Sequence, residues 1–253
     1  SFDQGAIRKI ARAATDVTIK DVEKRRAAVS SSDIATIIYT SGTTGNPKGV
    51  ALTHANFIAT SEGARQVLGD VIDSPETRLL LFLPVAHVLA RLVMYVILSG
   101  RGVLGFSPNI KNLLPDIKAF KPSVLLVVPR VLEKVYNAAS SKAGGGIKGR
   151  MFAWSAKQAR AYSLASEKTF GPGPFKKIRH GIADALVLKK IRSILGPNLR
   201  YIVSGGAPLA TDLAHFYAGM GITLIQGYGL SETTGPIAVQ HIGKNPVGGV
   251  GLP

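Results

Sequence analysis

The sequence predicts an α/β protein: a mostly parallel sheet covered by helices on both faces. Three observations predict it. Strand-like runs such as "IATIIYT" and "SVLLVVP" are apolar at successive positions instead of alternating, which marks strands buried on both faces. Segments with helical spacing separate these runs. The composition, 46% hydrophobic and 18% charged over 253 residues, is that of a chain with a filled core.

The elements follow in order. The first thirty residues are polar and mixed in charge and read as a helix and linker, so residues 1–32 are set apart from a main unit over 33–253. "IATIIYT" is a β-branched buried strand, followed by a glycine-rich loop and a helix from about His54. "RLLLFLP" is a strand ended by Pro84, and a helix runs from about Val88 to Leu98, closed by Gly100. "GVLGFS" is a short strand, and "IKNLLPDIKAFKP" a helix closed by Pro122. "SVLLVVP" is a strand, "RVLEKVYNAAS" a helix and "SKAGGGIKG" a loop. Amphipathic helices around 152–167 and 175–195 are broken by "GPGP". "LRYIVSGGAPL" is a strand entering a turn, "ATDLAHFYAGMG" a helix, and "ITLIQGYGLSETTGP" a strand running into a loop. In such sheets ligands sit beyond the carboxyl ends of the strands. The glycine-rich turns at 41–49, 205–208 and 227–231 are therefore expected to open on one edge.

Composition narrows the function classes. There is no cysteine, which excludes disulfides, zinc–cysteine sites and thiol catalysis. The most lipid-like stretch, "LLLFLPVAHVLARLVMYVIL", is interrupted by Pro84, His87 and Arg91 and reads as strand plus helix, not as a membrane span. No basic-then-apolar leader is visible at Ser1, so the expected location is the cytoplasm. The net charge of +16 is concentrated: residues 111–200 hold 18 Lys/Arg against 4 Asp/Glu. A basic surface of this kind can meet nucleic acid, an anionic membrane at its inner face, or a polyphosphate. The plainer reading for most of these lysines is a solvated helical face.

"YTSGTTGNPKGV" suits a polyphosphate. Thr40, Ser41, Thr43 and Thr44 offer hydroxyls, and Gly42, Gly45 and Gly49 let backbone amides approach. Lys48 adds a cation. The stretch departs from G-x-x-x-x-G-K-[ST], because Pro47 stands where the second glycine of that loop would be. Between Tyr201 and Pro253 the only acids are Asp212 and Glu232. Asp212 starts a helix, where a cap or dipole role explains it. Glu232 lies in a glycine-rich stretch without such a role. Tyr228, between Gly227 and Gly229, can stack on a flat ring or serve as a packing tyrosine. Gly205, Gly206 and Ala207 leave room beside such a ring. His87 is either a satisfied core residue or a site residue.

These motifs are similar to those of the adenylate-forming superfamily, which includes acyl-CoA synthetases, peptide-synthetase adenylation domains and beetle luciferases. "YTSGTTGNPKGV" resembles its phosphate loop, "QGYGLSETTGP" its Y-G-x-[ST]-E-T element and "SGGAPL" the turn lining its adenine site. The resemblance runs from about Asp33 onward and implies part of the large N-terminal domain of that fold. It implies that Thr40 to Lys48 hold the β- and γ-phosphates of ATP, that Glu232 holds Mg2+, and that Tyr228 stacks on adenine. By the same resemblance Thr233 approaches the α-phosphate, and His87 lies beside the carboxylate of the acid. The implied reaction forms acyl-AMP and then transfers the acyl group to coenzyme A.

"FLPVAHVLAR" and "YGLSETTGP" look closest to bacterial long-chain fatty-acid–CoA ligases, which makes a fatty acid the expected substrate. Arg91 stands where some long-chain members carry a gating tryptophan, so no such gate is inferred. A "TGD"-type ribose contact, a hinge and the small C-terminal domain with its lysine are not found in the sequence. The expectation is an internal portion of a larger enzyme, inactive alone, with exposed sheet edges that favour a homodimer. Rival readings are a short-chain or aromatic acid ligase, an enzyme that stops at acyl-AMP, an inactive scaffold, and a nucleic-acid-binding module. The last rests on charge alone, so no nucleic acid partner is expected.

Overall fold

The computed structural model describes residues 5–14, 16–40, 46–243 and 246–251. Two amino-terminal helices, α1 (Ala6–Ala13) and α2 (Ile19–Ala28), come first. Thr18 starts α2 with a capping box shared with Asp21, and no residue of α2 is buried.

Strands β1 (Ile34–Thr40) and β2 (Lys48–Thr53) pair antiparallel as a separate two-stranded sheet. This corrects the sequence reading in two ways. The strand expected to be buried in the parallel sheet lies outside it with only Ile38 buried, and the second half of the glycine-rich stretch is a strand. Gly49 pairs with Tyr39, and a Cβ there would lie 3.1 Å from the Ile37 side chain, so this glycine permits close strand pairing. Thr53 and Asn56 form a second capping box, which starts α3 (His54–Ile72) directly after β2.

The main sheet has six strands in the order β4-β3-β5-β6-β7-β8. These are β3 (Arg78–Leu81), β4 (Val103–Phe106), β5 (Val124–Val127), β6 (Tyr201–Ser204), β7 (Thr223–Leu230) and β8 (Gly235–Val239). All neighbours are parallel except β7 and β8, which form an antiparallel hairpin at one edge. Leu79, Leu81, Val124 and Leu126 pack with α3 and α4 (Val88–Ser99) on one face. Leu80, Leu125, Val127 and Ile202 pack on the other, against α5 (Leu113–Phe120), α6 (Pro129–Ala143), α7 (Gly146–Ser166) and α10 (Thr211–Gly219). This alternation along short, wholly apolar strands is the expected covering of both faces.

The basic segment is more regular than expected. The stretch at 141–149 is not a long loop: α6 runs to Ala143 and α7 begins at Gly146. Beyond "GPGP", α8 (Pro174–Ala183), a π turn (Asp184–Leu188) and α9 (Lys189–Leu195) form one continuous helical run. The π turn has a packing reason. Ala183 and Leu188, five residues apart, both face the core at 0% exposure, followed by Ile191 and Leu195. Tyr217, fully buried in α10, donates its hydroxyl to the Leu132 carbonyl at 2.8 Å. Among the described residues no helix is long and apolar enough to cross a membrane.

Candidate active site

A cavity of about 350 Å3 lies between the α3/α4 side of the sheet and the two helices. Its body is apolar: Leu68 and Val71 on α3, Leu92, Val93 and Val96 on α4, and Val124, Val203 and Ile225 from the strands. Leu68 departs from helical geometry (φ −123°, ψ 22°), so α3 is kinked where it borders the cavity. Thr40, His87, Ser204, Ser231 and Glu232 add polar side chains to the lining, and Gly205, Gly206, Gly227 and Gly229 add bare backbone.

Each polar residue is placed by a local cause. Thr40 is the last residue of β1, paired with Lys48 across the hairpin. Ser41, Gly42, Thr43, Thr44 and Gly45 lie outside the described residues. Lys48 is exposed and has no ion pair among the described residues. Gly205, Gly206 and Ala207 follow β6 directly, and Gly205 and Gly206 reach the cavity while Ala207 does not line it. His87 is the N-cap of α4, and its Nδ1 accepts the Leu89 N–H at 3.2 Å. A neutral ring in that arrangement carries its proton on Nε2. Arg91, one turn on, donates Nε–H to the Val85 carbonyl at 2.9 Å, so it braces the chain before the helix.

Gly227, Tyr228 and Gly229, expected in a loop after a strand, belong to the strand itself. All three are inside β7, opposite Pro236 to Val239 of β8, with a bulge between Tyr228 and Gly229. The strand extends because β8 supplies a partner that "GPIAV" did not advertise. A Cβ on Gly229 would run into the Gly235 carbonyl, so the hairpin requires glycine there. Tyr228 is 53% exposed and does not line the cavity. The loop proper is Ser231–Thr234. Its Thr233 hydroxyl accepts from Leu230 N–H and lies within 3.0 Å of the Leu230 and Gly235 carbonyls, so it is engaged in closing the turn. Glu232 projects from this turn, exposed and without an ion pair among the described residues. No cluster of three or more metal-ligating side chains occurs among the described residues. A lone exposed carboxylate still fits a hard cation that takes its other ligands from phosphates and water.

Sequence reasoning missed three features. The apolar lining from α3 was not singled out. Ser204 is 2% exposed, lines the cavity and has no hydrogen-bond partner for its hydroxyl among the described residues. Two buried glutamines fix the base of the hairpin: Gln226 N–H donates to Gln240 Oε1 at 2.9 Å, and Gln240 Nε2 to the Pro246 carbonyl at 2.8 Å.

Thr40, from the two-stranded sheet, and Glu232, from the edge hairpin of the six-stranded sheet, thus border one cavity. A profile of the AMP-binding enzyme family matches residues 2–253. The chain belongs to the AMP-binding enzyme family. The match takes in α1 and α2, which the motifs alone left outside. Among relatives, the long-chain-fatty-acid–CoA ligase FadD15 of Mycobacterium tuberculosis is 45% identical over 248 residues, covering 98% of this chain and 41% of the relative. Long-chain-fatty-acid–CoA ligase 5 of Rattus norvegicus is 34% identical over 243 residues, covering 92% of this chain and 33% of the relative. This AMP-binding chain therefore spans less than half the length of these relatives. The crystal structure of ATP-bound MatB from Rhodopseudomonas palustris superposes with a TM-score of 0.56 at 24% identity, over 89% of this chain and 35% of that one. At that identity the likeness speaks for the fold alone.

Proposed function

We propose that this AMP-binding chain is the ATP- and acyl-binding part of a long-chain fatty-acid–CoA ligase, with residues 33–253 forming the central portion of its large domain. The observation that carries the reading is an apolar cavity whose lining also includes Thr40, His87, Gly205, Gly206 and Glu232. Similarity to long-chain ligases over nearly the whole chain supports it.

In this reading the acyl chain occupies the apolar cavity between α3 and α4. Its carboxylate is ionised at neutral pH and needs no base. The Nε2–H of His87 holds the carboxylate at the border of the cavity. Thr40, the residues from Ser41 to Gly45 and Lys48 hold the β- and γ-phosphates, while Gly205 to Ala207, Gly227 and Gly229 leave space for adenine. Tyr228 stacks on the purine from outside the cavity, and the Thr233 hydroxyl fixes the turn that bears Glu232. Mg2+, held by Glu232, would neutralise phosphate charge. The chain's contribution is alignment: the carboxylate oxygen attacks the α-phosphorus, pyrophosphate leaves, and acyl-AMP remains. The thiolate of coenzyme A then attacks the acyl carbonyl and AMP departs.

The test is pyrophosphate release by the full-length protein with acids of graded length and with aromatic acids. The expected result is activity that rises with chain length and requires ATP and coenzyme A for the thioester. Preference for a short or aromatic acid would replace the substrate assignment.

A further inference from the structure

The cavity faces α3 and α4, whereas the basic helices α7 to α9 pack on the opposite face of the sheet. Their surface therefore needs its own account. We propose that the outward face of the α8 run docks on a lipid bilayer containing anionic lipid. This stands independently of the ligase reading, because it rests on none of the residues of the cavity.

The apolar half of the surface is a stripe. Phe175, Ile178, Ile182 and Leu186 recur at helical spacing and are 80%, 61%, 49% and 40% exposed. Phe170, in the turn that leads into α8, is 99% exposed. The same helical run already buries Ala183, Leu188, Ile191 and Leu195 on its inner side. The outer stripe is thus a second apolar face, not a shortfall of core packing. Scattered single apolar residues on a surface need no explanation, but a contiguous row does.

The charged half comes from the same helical run and the turn before it. Lys168, Lys176, Lys177, Arg179, Lys189 and Lys190 are exposed and have no ion pair among the described residues. The only acids from 167 to 190 are already engaged. Glu167 accepts the Val247 N–H at 2.6 Å, and Asp184 is bound by Arg192 at 2.6 and 3.1 Å. A helix with large apolar side chains on one face and cations beside them is suited to the boundary between headgroups and acyl chains. Charge complementarity selects the anionic bilayer. Phosphates of a nucleic acid would leave the phenylalanines and isoleucines wet, and a second copy of this face would oppose like charges.

The experiment is co-sedimentation of the full-length protein with phosphatidylcholine vesicles and with vesicles that also contain phosphatidylglycerol. The unaltered protein is expected to bind the anionic vesicles more tightly, with a preference that weakens as salt is added. The double variant Phe175→Ser/Ile178→Ser is expected to lose about tenfold or more in binding to them. The double variant Lys176→Gln/Lys177→Gln is expected to lose about fivefold per lysine removed, on the anionic vesicles only. All four positions are exposed, so thermal melting should match the unaltered protein. Equal binding to both vesicle types, or binding untouched by either variant, overturns the proposal. So does failure to bind vesicles while an acidic protein partner is captured through the same residues.

Discussion

Filling the cavity partway along α4 should shorten the acids the protein accepts. Val93 lines the cavity and is half-buried. It lies six residues beyond His87, roughly 9 Å along the helix axis. Val93→Phe would displace roughly three methylenes of a bound chain, each worth about 0.8 kcal/mol of apolar burial. The loss for a long acid is then about 2.4 kcal/mol, on the order of fiftyfold in kcat/KM. An acid too short to pass that point should lose almost nothing. The added ring enters existing space, so the overpacking cost of a filled core, about 1–3 kcal/mol, should not appear in the melting temperature. The assay is pyrophosphate release by the full-length variant across saturated acids of increasing length. An equal loss at every length, or none at any, would refute the placement of the acyl chain in this cavity.

Other substitutions test the remaining parts. Glu232→Gln should leave stability within about 0.5 kcal/mol, since the side chain is exposed; ATP-dependent pyrophosphate release should fall by on the order of a hundredfold, and unchanged turnover would remove Glu232 from the site. Gly229→Ala should destabilise by about 1–3 kcal/mol, because its Cβ meets the Gly235 carbonyl. Gly227→Ala, with nothing nearer than 3.5 Å, should melt close to the parent, and calorimetry separates the two. Tyr217→Phe removes the bond to the Leu132 carbonyl and should cost about 1 kcal/mol in urea denaturation at neutral pH. Burial, with Tyr136 as the smaller cause, holds the Tyr217 phenol above its ordinary value. The unfolded chain sheds this proton from about pH 10 upward. The unaltered protein should therefore lose stability above that pH by a margin that the phenylalanine variant lacks.

What the sequence made legible follows from how local each signal is. "IATIIYT" misled, since β1 leaves Ile34, Ile37 and Tyr39 exposed, whereas "LLLFLP" and "SVLLVVP" announced two-sided burial correctly. The structure shares them between the two faces of one sheet. The start of α3 near His54 was legible, whereas α6 begins at Pro129, which the sequence reading left in the strand. Strands β2 and β8 escaped, because "KGVALT" and "GPIAV" carry glycine and proline and form through their partners. The same cause hid the strand character of Gly227 to Leu230, whose pairing is supplied by β8. For the candidate site, chemistry and position singled out Glu232 and His87, and both line the cavity. Ser204 and the glutamine pair Gln226 and Gln240 were not, since their roles depend on burial, which composition does not encode.

The two halves of the candidate nucleotide site come from different sheets, so neither sheet alone fixes their distance. What they share is α3 and α4. Ile38 of β1 and Leu52 of β2 pack with Phe57 and Ile72 of α3 and with Val88, Leu92 and Val96 of α4. The β7–β8 hairpin meets the same helices, with Gly235 and Pro236 of β8 and Leu92 of α4 on one cavity lining. Packed apolar clusters transmit displacement because they have little free volume. The helices that wall the apolar cavity are thus the members that set where Thr40 stands relative to Glu232. A chain lying between α3 and α4 touches the surfaces on which both hairpins rest. Occupancy of the apolar cavity and the geometry of the phosphate side are consequently one mechanical problem in this fold, and Leu68, where α3 is kinked, lines that cavity.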